Sequence, residues 1–181
     1  MMDGVREGLL GDGKIGTTRR GIGPAYADKA NRVGIRAAEL CDLARFETLF
    51  RAQAEAYNRI FRDAGSEELD IDAEFAKLRS AAALLAPLVD DTALLLNRAA
   101  DAGKAILFEG AQGTWLDVDF GTYPFVTSSN TTSGAACTGT GMSPRRIDHV
   151  IGVVKAYTTR VGSGPFPTEL DNPTGALMRE R

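Results

Sequence analysis

Glycine placement divides this chain before any motif is considered. Of 20 glycines in 181 residues, the stretch from 35 to 102 holds one, Gly65. Glycine in a helix interior costs roughly 1 kcal/mol relative to alanine. A long run that avoids it, and is rich in Ala, Leu, Arg and Glu, is therefore suited to helices. Phe46, Leu49, Phe50, Tyr57, Ile60 and Phe61 recur at spacings of three, four and seven, which predicts one amphipathic helix. Arg45, Glu47, Arg51, Glu55, Arg59 and Arg62 fall on its other faces and read as solvated surface. A second helical pattern runs through Phe75, Leu78, Ala82 and Leu85. Pro87 interrupts it and suits the first turn of a third helix carrying Leu88, Thr92, Leu95, Leu96 and Ala99.

Beyond Gly103 the pattern changes. Lys104 to Phe108 is a short apolar run ending in Glu109 and Gly110, and Val150 to Ala156 is a second; both predict strands buried on two faces. In open α/β sheets ligands gather beyond the carboxyl ends of strands, which marks Glu109, Gly110 and Gln112 as site candidates. Between the runs, Phe120 to Pro144 contains no charged side chain and ten Ser or Thr residues. Tyr123, Phe125, Val126 and Met142 argue against a flexible linker there. An ordered loop offering neutral donors to an anion fits better, with Thr127, Ser128, Ser129 and Asn130 as candidate donors. A second donor-rich stretch, Gly16 to Pro24, imitates nucleotide-binding glycine motifs without satisfying one, because no Lys-Ser or Lys-Thr follows Gly21. Its hydroxyls, amides and the guanidinium groups of Arg19 and Arg20 suit a phosphate.

Several function classes are excluded at this level. With 21 basic and 24 acidic side chains, the net charge of −3 gives no broad basic surface for nucleic acid. Uninterrupted apolar runs are far shorter than the roughly 20 residues of a membrane span, and the first 14 residues lack signal-peptide character. A cytoplasmic protein without nucleic-acid or membrane partners is expected. Cys41, Cys137 and the sole histidine, His149, have no metal-ligand spacing.

Three strings carry a specific resemblance: GTTRRGIGPAYADKANRVGIR (16 to 36), LFEGAQGTWLDVDFGTYPFVTSSNT (107 to 131) and GVVKAYTTRVGSGPFPTEL (152 to 170). In this order they closely resemble the adenylosuccinate synthetases, purine-biosynthesis ligases that use GTP to phosphorylate the 6-oxygen of IMP, which L-aspartate then displaces, with Mg2+ required. The resemblance implies an α/β fold, part of a mostly parallel sheet with a helical subdomain inserted at about residues 37 to 102. On this view residues 1 to 181 form a single partial domain, with a nucleotide-loop region at 103 to 170. It implies IMP contacts at Thr18, Gln112 and Thr127, and a homodimer in which Arg32 reaches the IMP phosphate of the neighbouring subunit. These residue types suit IMP, because amide and hydroxyl groups orient a purine nucleotide and one guanidinium supplies a fixed positive fork.

The family's glycine-rich string with the catalytic aspartate, its general-acid histidine, its arginine-rich aspartate-binding loop and its guanine-reading motif do not occur in these residues. The resemblance therefore implies a portion of a longer enzyme, with no catalytic or metal-binding residue in this segment and no activity for the segment alone. Asp117, Asp119 and His149, the nearest carboxylates and the sole imidazole, are expected to make turn and strand-end hydrogen bonds.

Overall fold

The computed structural model describes residues 1–11 and 14–180, and among them every regular element is a helix. In chain order these are α1 (Met2–Leu10), α2 (Ile22–Asn31), α3 (Leu43–Asp63), α4 (Ile71–Leu85), α5 (Thr92–Asp101), α6 (Gly134–Thr140) and α7 (Pro173–Arg179). Short 3-10 turns lie at Ala37–Cys41, Ala86–Leu88, Thr114–Leu116 and Pro144–Arg146.

The three middle helices each begin on an aspartate. Asp42 accepts a hydrogen bond from the Arg45 N–H at 3.0 Å, Asp70 from Ala73 at 3.0 Å and Asp91 from Leu94 at 2.9 Å. Each such cap contributes about 1 kcal/mol by satisfying an orphan amide. Phe46 and Phe50 of α3 and Phe75 of α4 form a three-ring cluster with centroids 5.7 to 6.5 Å apart. Ala82 is buried against it, and Ile35 and Leu40 pack from the preceding segment. Asn58, 4% exposed, fixes the α3–α4 connection by donating to the Leu69 carbonyl at 3.0 Å and accepting the Leu69 N–H at 2.7 Å.

The third helix starts later than the proline suggests. Pro87 sits in the 3-10 turn that closes α4, Val89 to Asp91 are non-helical, and Asp91 caps α5. This break also bears on the stretch Ile71–Asp101, which by length and mean hydropathy of 1.2 meets the measure for a membrane-crossing helix. It is two helices separated by a non-helical break that includes Asp90 and Asp91, and neither piece reaches the roughly 20 residues a span requires.

The expected α/β fold with a mostly parallel sheet is not what forms: among the described residues there is no strand. Apart from the Lys104 N–H, which is donated to the Ala99 carbonyl at the end of α5, Lys104 to Phe108 and Val150 to Ala156 make no backbone hydrogen bond to a neighbouring segment among the described residues and are largely bare, with Leu107 87% exposed, Val153 94% and Val154 89%. Hydrophobicity alone does not make a strand, because its backbone groups must be paired with a neighbour. These two runs do not pair with each other.

Two hydrogen bonds join α2 to α3. Asp28 of α2 accepts from Gln53 Nε2 at 2.6 Å and from the Tyr57 hydroxyl. Burial, together with the hydrogen bond to Asp28, pushes the Tyr57 phenol up to about 12, so it remains a donor at any physiological pH.

Candidate functional site

The Gly16 to Pro24 stretch is held from below by α1. Asp3 and Glu7 lie four residues apart on that helix, hence on one face, and both are 7% exposed. Asp3 Oδ2 accepts the Gly21 N–H at 2.6 Å, while the two Glu7 oxygens accept the N–H groups of Ile15 at 3.3 Å and Gly16 at 3.2 Å. Part of the amide supply expected to meet an anion is thus already used. Thr18, Arg19 and Arg20 remain exposed at the top of the loop, with Arg19 in the left-handed backbone region at φ 55°. Gly21, at φ 77°, makes the turn into α2 that a Cβ would disfavour.

Arg32 terminates α2. Its φ of 63° and ψ of 30° are left-handed, its N–H is donated to the Asp28 and Lys29 carbonyls, and Val33 and Gly34 donate to the Asp28 carbonyl at 3.0 and 3.1 Å. Glycine is the usual occupant of this C-terminal capping position. The Arg32 side chain is exposed, and among the described residues no carboxylate forms an ion pair with it.

The donor-rich loop is ordered around one carboxylate. Asp117, 0% exposed, accepts the N–H groups of Asp119 at 2.9 Å and Phe120 at 3.1 Å on one oxygen, and those of Thr131 at 2.6 Å and Thr132 at 3.2 Å on the other. Asn130 Nδ2 adds a fifth contact at 3.3 Å and also reaches Asp119 at 2.6 Å. Burial by itself raises the Asp117 pKa, but the four backbone donors outweigh it and hold the group well below the usual carboxylate range. Around it, the Thr127 N–H is donated to the Leu116 carbonyl at 2.8 Å, the Val118 N–H to Ser129 at 3.2 Å, and the Thr131 hydroxyl to Gly113 at 2.8 Å. Gly121 closes the loop: a Cβ there would clash with the Asp117 and Trp115 carbonyl oxygens and lie 2.8 Å from Val126 Cγ1. Gln112, at φ 63°, is exposed at one end of this structure, and Thr127 is half-buried within it.

The three recurrent strings meet here. A methyl group on Gly16 would lie 3.3 Å from Gly162 Cα, which places the first string against the third, and Ser163 donates its N–H at 3.4 Å to the carbonyl of Ile15, the residue just before the first string. A methyl on Gly23 would sit 3.5 Å from Ser128 Oγ, joining the first to the second. Arg160 donates to the Phe125 carbonyl at 2.9 Å, joining the third to the second. The segments bearing Thr18, Gln112 and Thr127 are therefore neighbours. Arg32 stands apart from them at the far end of α2, whose ten residues span about 15 Å.

The expected donor set is partly consumed within the fold. Asn130 is engaged with Asp117 and Asp119, and the Thr127 amide with Leu116, which leaves hydroxyl and carboxamide side chains rather than a cradle of free amides. Asp117 is also removed as a base, because its lone pairs meet N–H donors throughout, and His149 is exposed on a separate segment. Two open hollows, about 500 Å³ between α1 and α3 and about 280 Å³ beside Tyr26, Lys29 and Arg36, have none of the four candidate contact residues in their walls. Among the described residues no group of three or more His, Cys, Asp or Glu is placed to hold a metal ion.

Asp3, Glu7 and Asp117 are structural determinants of the site that motifs alone do not reveal. The spacing of Asp3 and Glu7 is a usable signal, as is the position of Asp117 just ahead of a long uncharged, donor-rich stretch.

The family model for adenylosuccinate synthetase matches residues 1–181. The adenylosuccinate synthetase of Desulfitobacterium hafniense is 50% identical over 181 residues, and that of Bifidobacterium longum 52%; each comparison covers 99% of this chain and 42% of the relative. A structure of fully ligated adenylosuccinate synthetase from Plasmodium falciparum superimposes with a TM-score of 0.90 at 39% identity, over 99% of this chain and 42% of that one. The chain thus spans less than half the length of these relatives. With the family model matching all of its residues and its backbone following a synthetase over 99% of its length, it belongs to the adenylosuccinate synthetase family.

Proposed function

We propose that this chain supplies the IMP-binding wall of an adenylosuccinate synthetase, the cytoplasmic purine-biosynthesis ligase that joins IMP to L-aspartate at the expense of GTP. The observation that carries the reading is the mutual contact of three sequence strings separated by up to 146 positions, through Gly16 with Gly162, Gly23 with Ser128, and Phe125 with Arg160. In this reading Thr18, Gln112 and Thr127 orient the nucleotide by hydroxyl and carboxamide hydrogen bonds. Arg32, exposed at the end of α2 and remote from that junction, serves the phosphate of IMP bound to the other subunit of a homodimer.

The residues at hand do not fit Mg2+, since the one deeply buried carboxylate of the loop is saturated by N–H donors and, among the described residues, no ligand cluster accompanies it. GTP and Mg2+ enter as requirements of the family reaction, and no step is assigned to this segment beyond binding and orienting IMP. Residues 37 to 102 act as a helical subdomain beside the loop region 103 to 170, within one partial domain of the complete enzyme. A polypeptide of these 181 residues alone is expected to make no adenylosuccinate.

Grafting tests the reading. The segment replaces its counterpart in the Bifidobacterium longum enzyme, and adenylosuccinate formation dependent on GTP and aspartate is followed. The expected outcome is turnover with a KM for IMP within about tenfold of the parent, a difference of about 1.4 kcal/mol. A graft that folds and binds GTP but neither binds IMP nor turns over contradicts it.

A further inference from the structure

We propose that Asp117 is a positioning residue of the IMP site, a buried clamp that fixes Gln112 and Thr127 relative to one another. The proposal rests on the reading of those two residues as IMP contacts.

A carboxylate is a costly choice for filling space in a loop, because removing its charge from water is strongly unfavourable unless every lone pair is met. Here the cost is offset by a specific arrangement. One oxygen binds the N–H groups that immediately follow it in the chain, Asp119 and Phe120, and the other binds Thr131 and Thr132 from the returning limb. Charge-assisted bonds of this kind are stronger and shorter than neutral ones. They lock two limbs that are 14 and 15 residues apart in sequence.

Both nucleotide-contact candidates are attached to the clamp through few bonds. Thr127 is held by its N–H on the carbonyl of Leu116, the residue before Asp117. Gln112 adjoins Gly113, whose carbonyl accepts the hydroxyl of Thr131, the same residue that gives Asp117 its shortest N–H contact. Movement of Asp117 against Thr131 therefore shifts Gln112 and Thr127 relative to each other.

The test uses a full-length synthetase carrying this segment, with Asp117→Asn and the milder Asn130→Ala, which removes one contact from the clamp. KM for IMP is expected to rise at least about tenfold in Asp117→Asn and about two- to fivefold in Asn130→Ala, with KM for GTP unchanged and kcat at saturating IMP largely retained. A merely structural role would lower thermal stability and shift the kinetic constants of both nucleotides alike, and that result overturns the proposal. An unchanged KM for IMP in folded Asp117→Asn also overturns it. Where Asp117→Asn does not fold, an unchanged KM in Asn130→Ala does so instead. Gln112→Ala separates the two levels: if it leaves IMP binding unaltered, the underlying site reading fails, whereas if it weakens binding and the clamp variants do not, only the positioning role fails.

Discussion

Replacing Arg32 by glycine should make the protein more stable and a poorer binder of IMP. Arg32 holds a left-handed conformation at the end of α2, with φ 63° and ψ 30°. For a residue with a Cβ that conformation costs roughly 1–2 kcal/mol. Glycine removes this cost but loses about 0.4–1 kcal/mol through the greater freedom of the unfolded chain. The net gain is about 1 kcal/mol, which for a chain of this size raises Tm by about 2–4 °C. The exposed arginine side chain offers little to set against that gain. Arg32→Ala keeps the Cβ and the strain and should melt close to the parent. For binding the two variants should agree: loss of a charged hydrogen-bonding group costs about 1.5–3 kcal/mol, a weakening of roughly ten- to a hundredfold. Thermal melts of the three 181-residue chains, and IMP titrations of the same variants in a full-length synthetase, provide the comparison. If Arg32→Gly is no more stable than Arg32→Ala, the strain argument is wrong. If either variant binds IMP as the parent does, the arginine is not retained for phosphate.

Two further perturbations act on the loop. Gly121→Ala forces a methyl group against two backbone oxygens that cannot rotate away, and overpacking of this severity should cost about 3 kcal/mol, seen as a Tm lowered by about 6–12 °C; a Tm within about 2 °C of the parent, by the same scaling, would show that the loop yields easily. Asp117 has a folded pKa below its ordinary value of 3.8, so its contribution is complete at neutral pH and is lost as pH falls through the folded value. Melting temperature should therefore drop more steeply in the parent than in Asp117→Asn below about pH 5, and parallel profiles for the two proteins would refute the clamp's ionisation.

What is legible in the sequence, and what is not, follows from the range of the interactions involved. The two longer middle helices are readable because their apolar positions recur with the helical period, and α3 and α4 lie where Phe46 to Phe61 and Phe75 to Leu85 place them. The start of α5 is not where Pro87, an attractive first-turn residue, suggests, because the side chain of Asp91 sets it. The apolar runs at 104 to 108 and 150 to 156 predict strands from composition, a local property, while strand formation depends on a paired neighbour. The left-handed turn that ends α2 falls on Arg32, a residue with a Cβ, where local preference favours glycine. The position of Asp117 ahead of the uncharged stretch hints at a local turn with Asp119 and Phe120, but its bonds to Thr131 and Thr132, which close the clamp, depend on the folded chain. The strings bearing Thr18, Gln112 and Thr127 are recognisable as motifs, but their contact with one another is a property of the folded chain alone.

Everything proposed for the loop depends on Gln112 and Thr127, from opposite limbs of the Asp117 clamp, contacting the same nucleotide together with Thr18. Calorimetric titration of IMP into a full-length synthetase carrying this segment, in parent, Thr18→Val, Gln112→Ala and Thr127→Val forms, measures this contact. Each substitution is expected to weaken IMP by about 0.5–1.5 kcal/mol, the range for a neutral hydrogen bond, with GTP affinity unchanged. IMP affinity equal to the parent's in all three folded variants would refute the shared contact.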